Sequence, residues 1–219
     1  MKIALIGATG FVGAAVLTTL LQRGHQVTAL VRDPSKLASQ PGLTAAVADA
    51  YDADAVAAAV RGHDAVVSAF NPGWNDPALY DNFMRGSAAI ARGVELGGVR
   101  RLLVVGGAGS LFVAPGVQLV DTPEFVDHVP PNIVPGAQAA RDALNTLHAN
   151  TTLDWTFLSP PAMLGQGEAT GGYRVGAEDL LMDGDKPAGI AVADLALAIA
   201  DEIEQPRHLR ARFTVASPA

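Results

Sequence analysis

A chain of 219 residues has the length for one well-buried α/β domain. With 49% hydrophobic and 17% charged residues it suits a compact fold rather than a disordered one. The formal net charge of −7 argues against a nucleic acid or an anionic membrane surface as the main ligand, and the absence of cysteine excludes disulfides, thiolate metal sites and a cysteine nucleophile. The first strand begins at residue 2, so no cleavable signal peptide is expected, and no stretch approaches about 18 uninterrupted apolar residues. A cytoplasmic protein without a membrane partner is the expectation.

Short apolar runs alternate with helical patterns along the chain. "KIALI" reads as a buried strand, and after "GATG" the residues Val12, Val16, Leu17, Leu20 and Leu21 form a helical stripe that ends at Gly24. "QVTALV" is a second strand and "LTAAVAD" a third. "DADAVAAAVRG" reads as a helix capped by Asp52 and leads into the strand "DAVVSAF". A longer helix covers "LYDNFMRGSAAIARGVELGG", followed by the strand "RRLLVV". From Gly106 to Pro135 the chain is rich in glycine and proline and shows no periodicity, as a lid or binding loop does. The helix around "QAARDALNTLHA", the strand "DWTFLS", a second loop, the helix "VADLALAIADEIEQ" and the strand "ARFTVA" complete the chain. This alternation predicts right-handed βαβ units, hence a Rossmann-type, doubly wound parallel sheet covered on both faces. No repeat, charge block or linker divides the chain. A single domain over residues 1–219 is expected, with residues from about 160 onward forming a small lobe over the carboxyl edge of the sheet.

The strongest motif is "GATGFVG", which sets Gly7, Gly10 and Gly13 between a strand and a helix. Gly7 permits the tight turn, Gly10 lets backbone approach a pyrophosphate, and Gly13 lets the helix pack close to the strand. The helix start then offers free N–H groups and a positive dipole end to the phosphates. At the tip of the second strand an NAD site wants a carboxylate for the ribose 2′-hydroxyl, whereas an NADP site wants a cation for the 2′-phosphate. The chain reads Val31-Arg32-Asp33 there, with Ser35 and Lys36 behind. Arg32 favours NADP(H) over NAD(H) through bidentate phosphate contacts, against the alternatives of a solvated loop arginine and of Asp33 holding a ribose hydroxyl. Asp49 and Ala50, after the third strand, are expected at the adenine edge, and Ala69, Phe70 and Asn71 along the cofactor after the fourth.

On the blocks "IALIGATGFVG", "ALVRDPSKL", "DAVVSAFNPGW", "LYDNF", "RLLVVGGAGSL", "PGVQLVDTPEF", "LDWTFLSPPAML" and "VADLALAI", the chain resembles an atypical short-chain dehydrogenase/reductase over its whole length. Within that superfamily it is most similar to a group named for NADH-flavin reduction, related to biliverdin-IX-beta reductase and the NmrA-like proteins. The resemblance implicates Thr9, Gly10, Phe11 and Val12 at the pyrophosphate and Arg32 and Lys36 at the 2′-phosphate. It implies Gly107 and Ser110 beside the nicotinamide, with Pro160 and Pro161 walling it. Biliverdin-type relatives often carry a histidine after the proline of the sixth strand, where this chain reads Pro161-Ala162, so that role does not transfer.

Classical members of the superfamily protonate an alkoxide with the tyrosine of Tyr-x-x-x-Lys. The three lysines here are Lys2, Lys36 and Lys186; Arg32 and Met182 stand four before the latter two, and "PGAQAARDAL" offers no pair either. The motif is absent. Hydride transfer to a flavin or quinone leaves a delocalised, weakly basic anion that water can protonate, so such acceptors ask mainly for positioning. A sensor that performs no chemistry would also need no tyrosine. Ser110 either polarises the acceptor or caps local backbone. Trp74 and Phe112 either stack on a planar acceptor or pack within their own loops, and Tyr80 either donates a proton or packs its helix. Arg141 reads as an exposed helical arginine rather than a ribose contact. The histidines at 25, 63, 128, 148 and 208 show no metal-ligand spacing, with His25 and His63 expected in solvated loops. No G-x-S-x-G nucleophile motif appears. The resulting expectation is an NADPH-preferring reductase of a planar acceptor, with FMN, FAD or a quinone as substrate, acting as a monomer or homodimer. The alternative is an NADP(H)-sensing protein of NmrA-like type. A nucleotide-sugar epimerase would need the missing Tyr-Lys pair.

Overall fold

The computed structural model describes residues 1–218. The first half of the chain is strand–helix alternation: β1 (Lys2–Ile6), α1 (Phe11–Gln22), β2 (Gln26–Val31), β3 (Leu43–Val47), α2 (Ala53–Val60), β4 (Ala65–Ser68), α3 (Leu79–Leu96) and β5 (Arg101–Val105). A hairpin of β6 (Phe112–Ala114) and β7 (Val117–Gln118) follows, then α4 (Pro123–His128), α5 (Val134–His148) and β8 (Asp154–Ser159). Beyond β8 come five short strands, β9 (Met163–Gly165), β10 (Arg174–Gly176), β11 (Met182–Asp183), β12 (Lys186–Pro187) and β13 (Gly189–Ala191), before α6 (Val192–Glu204) and β14 (Ala211–Ala216).

The main sheet runs β3-β2-β1-β4-β5-β8-β14-β10. Seven of its strands are parallel, and the order reverses between β1 and β4, which opens a crevice at their carboxyl ends. β10 departs from the expected all-parallel sheet by pairing antiparallel to β14, with Arg174 opposite Ala216. A strand reached by a loop from the same edge, without a crossover helix, arrives running the other way.

Alternation along β1 sends Ile3 and Leu5 to one face and Ala4 and Ile6 to the other. The first pair packs against Val16 and Leu20 of α1 and Leu195, Ile199 and Ile203 of α6. The second packs against Val56 and Val60 of α2, Ile90 and Val94 of α3 and Leu144 and Leu147 of α5. Each fully buried aliphatic side chain contributes about 1.5–3 kcal/mol, so this two-sided burial carries the fold. Asp52 caps α2 as expected, accepting from the N–H groups of Asp54 and Ala55, both at 3.0 Å.

Three stretches differ from expectation. Residues 106–135 are not one loop but two 3-10 turns, a hairpin and α4, pieces too short to produce a readable hydrophobic period. α5 begins at Val134 because Pro135 is tolerated in a first helical turn, where its missing N–H has no partner to lose. Of the residues from about 160 on, β10 and β14 join the main sheet and α6 covers its face, while β9 with β13 and β11 with β12 form separate two-stranded pieces.

The amino end of the sheet is tied by a buried ion pair. Glu202 of α6 accepts from the Arg101 guanidinium of β5 at 3.0 Å and from the N–H groups of Arg207 and His208. Burial pulls the Arg101 guanidinium below its usual value while the Glu202 carboxylate opposes that shift. His25 is buried rather than solvated and bonds Glu204 at 2.7 Å, while the half-buried His63 bonds the Thr28 hydroxyl at 2.8 Å and the Val60 carbonyl at 2.9 Å.

Glu202→Ala leaves the Arg101 cation buried without its counter-charge, and the expected cost is about 3–5 kcal/mol, measured as a lower urea midpoint at unchanged slope. Gly13→Ala is expected to lose at least ~2 kcal/mol, read as a lower thermal midpoint, because its Cβ would meet the Gly7 carbonyl oxygen at 2.0 Å.

Candidate functional site

The glycine turn takes the shape its spacing demands. Gly7 has φ +83°, and a Cβ there would stand 2.3 Å from the Ala69 carbonyl oxygen of the neighbouring strand end. The Gly10 N–H donates to the Gly7 carbonyl at 2.9 Å, which closes the turn. The first helical bond of α1 runs from the Ala14 N–H to the Gly10 carbonyl at 2.9 Å, so the N–H groups of Phe11, Val12 and Gly13 precede it and have no intrahelical acceptor. No acidic residue stands in that first turn to repel an anion. Gly13 is buried beneath the turn, and its lack of a side chain is what lets α1 start there.

A cleft of about 640 Å³ crosses the carboxyl edge of the sheet above this turn. Thr9, Gly10, Phe11 and Val12 line its middle. On one side stand the residues after β2 and β3: Arg32, Asp33, Lys36, Asp49, Ala50 and Tyr51. Neither Arg32 nor Lys36 makes a side-chain hydrogen bond or ion pair among the described residues. Asp33 is engaged: its Oδ1 accepts from the Ser35 hydroxyl at 2.7 Å and the Ser35 N–H at 3.0 Å, which holds its carboxyl below the usual range. Asp49 accepts from the Tyr51 N–H at 3.0 Å.

Ala69, Phe70 and Asn71 bring the end of β4 into the cleft. Phe70 can lie there because position 86 of α3 is glycine; a Cβ would meet its ring at 2.4 Å. Tyr51, not singled out from the sequence, meets Phe70 edge-on with ring centres 5.6 Å apart, and the Arg85 guanidinium lies 4.4 Å over its other face. Gly107, Pro160 and Pro161, from the ends of β5 and β8, line the opposite side. Trp74 stands at the rim, about half exposed, its carbonyl accepting from the Asn132 side chain at 3.0 Å and its ring against Gly136.

Three expected site residues lie elsewhere. Ser110 is 1% exposed and does not line the cleft. Its hydroxyl lies below the floor, accepting from Arg212 at 3.1 Å and meeting the Ser159 hydroxyl at 3.3 Å. Arg212, buried in β14, also bonds the Ser110 carbonyl and pairs with Glu178, so a cation under the floor draws the serine inward. Phe112 borders a separate surface hollow with Val113 and Leu180 and packs over Arg212, 5.5 Å from its ring centre. Tyr80 points along the outside of α3 and donates to Asp142 of α5 at 2.8 Å, a bond that raises its phenol above the ordinary value. Position 83, three residues on, is the one that reaches the cleft, as Phe83. Arg141 is ion-paired with Asp121 at 2.7 Å and Asp142 at 2.9 Å rather than exposed, and it too lies outside the cleft.

Sequence reasoning also missed the wall supplied by α4, where Phe125, His128 and Val129 face the cleft. Their i, i+3, i+4 spacing was a helical signal, masked by the glycine and proline content around it. Among the described residues no three metal-ligating side chains cluster, and no helix is long and apolar enough to cross a membrane.

Known proteins resemble this chain over its whole length. YwnB of Bacillus subtilis (strain 168) is 38% identical over 222 residues, covering 100% of both chains. The crystal structure of a proposed epimerase from Bacteroides thetaiotaomicron superposes with a TM-score of 0.91 at 43% identity, over 100% of this chain and 97% of that one. The structure of a proposed NADH-flavin reductase from Streptococcus pneumoniae superposes with a TM-score of 0.81 at 32% identity, over 100% of each. The profile of the NAD(P)H-binding family matches residues 7–206, which begin on the first glycine of the phosphate turn and run through all of α6, and to that family the chain belongs.

Proposed function

We propose that the protein is an NADPH-preferring oxidoreductase that reduces a flavin, a quinone or a similar planar acceptor. The observation that carries this reading is the division of the cleft. The cations Arg32 and Lys36 stand on the β2 side, unpaired among the described residues, while the β5 and β8 side is lined by Trp74, Pro160, Pro161, Phe125 of α4 and Val129 after it. The turn from Gly7 to Gly13 would hold the pyrophosphate on backbone N–H groups, and Arg32 with Lys36 would grip a ribose 2′-phosphate. Asp33, committed to Ser35, is less available to a ribose hydroxyl than a free carboxylate. A nicotinamide bound here supplies hydride. The chain's part is to hold the acceptor flat against the apolar wall and to keep bulk water from the transfer.

The same residues fit a second reading, an NADP(H)-responsive binding protein without turnover. The burial of the Ser110 hydroxyl and the engagement of Tyr80 with Asp142 favour it, because both remove an expected catalytic hydroxyl from the cleft. An epimerase, the proposed activity of the Bacteroides relative, is disfavoured here because no lysine follows a tyrosine by four residues.

NADPH and NADH oxidation at equal concentrations, with FMN, riboflavin and menadione offered in turn, separates the readings. Turnover faster with NADPH is expected; tight NADPH binding with no turnover on any acceptor establishes the sensor instead. Arg32→Ala is expected to lower the NADPH/NADH affinity ratio by roughly 10- to 100-fold, the equivalent of one charge-assisted phosphate contact of about 1.5–3 kcal/mol. An unchanged ratio in a fluorescence titration overturns the cofactor assignment.

A further inference from the structure

Six titratable side chains line the cleft: Arg32, Asp33, Lys36, Asp49, Tyr51 and His128. The first five come after β2 or β3 and belong to the adenosine side. His128 alone comes from the opposite side, at the last residue of α4. We propose that His128 is the catalytic acid of this site, the group that hands a proton to the acceptor as it is reduced. The assignment rests on the reductase reading and deepens it.

Local geometry presents the imidazole for that task. Its Nδ1 lies 2.8 Å from the Glu124 carbonyl oxygen; a carbonyl only accepts, so Nδ1 carries a hydrogen and Nε2 is the nitrogen left to exchange a proton. The ring is exposed and can be reprotonated from water. The helix beneath it is fixed at both ends. Thr122 caps its start, accepting from the Phe125 N–H at 3.2 Å. After its end, the Asn132 side chain donates to the Trp74 carbonyl at 3.0 Å, which ties the connection to α5 to the loop that carries Trp74. Phe125 and Val129 flank His128 on the same face of the cleft. An acceptor lying between Trp74 and this face therefore meets one proton-bearing side chain.

The step balances with the reactants already named. The acceptor gains two electrons and two hydrogens per turnover, one as hydride from the nicotinamide and one as the proton of the His128 Nε2–H. The nicotinamide is oxidised, and the neutral imidazole takes a proton back from water. This replaces the missing tyrosine with a group from a different element, and it extends the acceptors to those whose reduced anion is too basic to wait for water.

The test compares His128→Ala and His128→Gln with the wild type in NADPH-dependent menadione and riboflavin reduction, alongside modification of the resting protein by diethylpyrocarbonate. We expect kcat to fall about 100-fold in both variants, with partial recovery by added imidazole in the alanine variant only. In the wild type, carbethoxylation of His128 is expected to slow several-fold when NADP+ and menadione are added together, while that of His148, exposed at the end of α5, is unchanged. Variants that turn over like the wild type, or a His128 that stays unprotected, overturn the assignment and leave the reductase reading standing. A wild type that reduces no acceptor overturns both.

Discussion

The whole site depends on one close contact, that of α1 with the turn that precedes it. A Cβ at position 13 would sit 2.0 Å from the Gly7 carbonyl oxygen, and one at position 7 would sit 2.3 Å from the Ala69 carbonyl oxygen. Helix, turn and the neighbouring β4 end meet with no side chain between them. That contact aims the N–H groups of Phe11, Val12 and Gly13 across the sheet edge rather than away from it. The turn follows β1, the strand at which the order reverses, so it opens on the crevice at the carboxyl ends.

From that centre the topology sorts chemistry by strand. The cleft residues after β2 and β3 are mostly polar and charged, whereas those directly after β5 and β8 are glycine, alanine and proline, with Phe125 and His128 of α4 beside them. The two sides never share a residue, because β1 and β4 stand between them in the sheet. Arg32, Asp33, Lys36 and Asp49 thus stand on one side, and on the other His128 is set among glycine, alanine, proline and the side chains of Phe125 and Val129.

The carboxyl-side loops are held by buried cations rather than by hydrophobic contact alone. Arg212 reaches from β14 to Ser110 and Glu178, and so joins the segment after β5 to the strand pieces before α6. Arg101 and Glu202 do the same at the amino end, between β5 and α6. Breaking either pair strands a charge where water cannot reach it, which makes both clusters strict determinants of geometry. Ser110 shows the effect on geometry: its hydroxyl serves the Arg212 cluster and does not line the cleft.

The sequence alone determined the order of the main strands and helices, the glycine turn and the place of Arg32 and Lys36 after the second strand, because these depend on local spacing: period 2, period 3.6, and glycines between a strand and a helix. It also excluded the Tyr-x-x-x-Lys donor outright, since a motif absent from the chain is absent from the fold. Only the tertiary structure decided which way Ser110, Phe112 and Tyr80 point. Each direction is set by a partner remote in sequence: Arg212, 102 residues from Ser110 and packed under Phe112, and Asp142, 62 residues from Tyr80. It likewise decided that β10 runs antiparallel at the sheet edge and that His128 faces the cleft. Both lie in short segments whose place is fixed by what they pack against, and no local period records that.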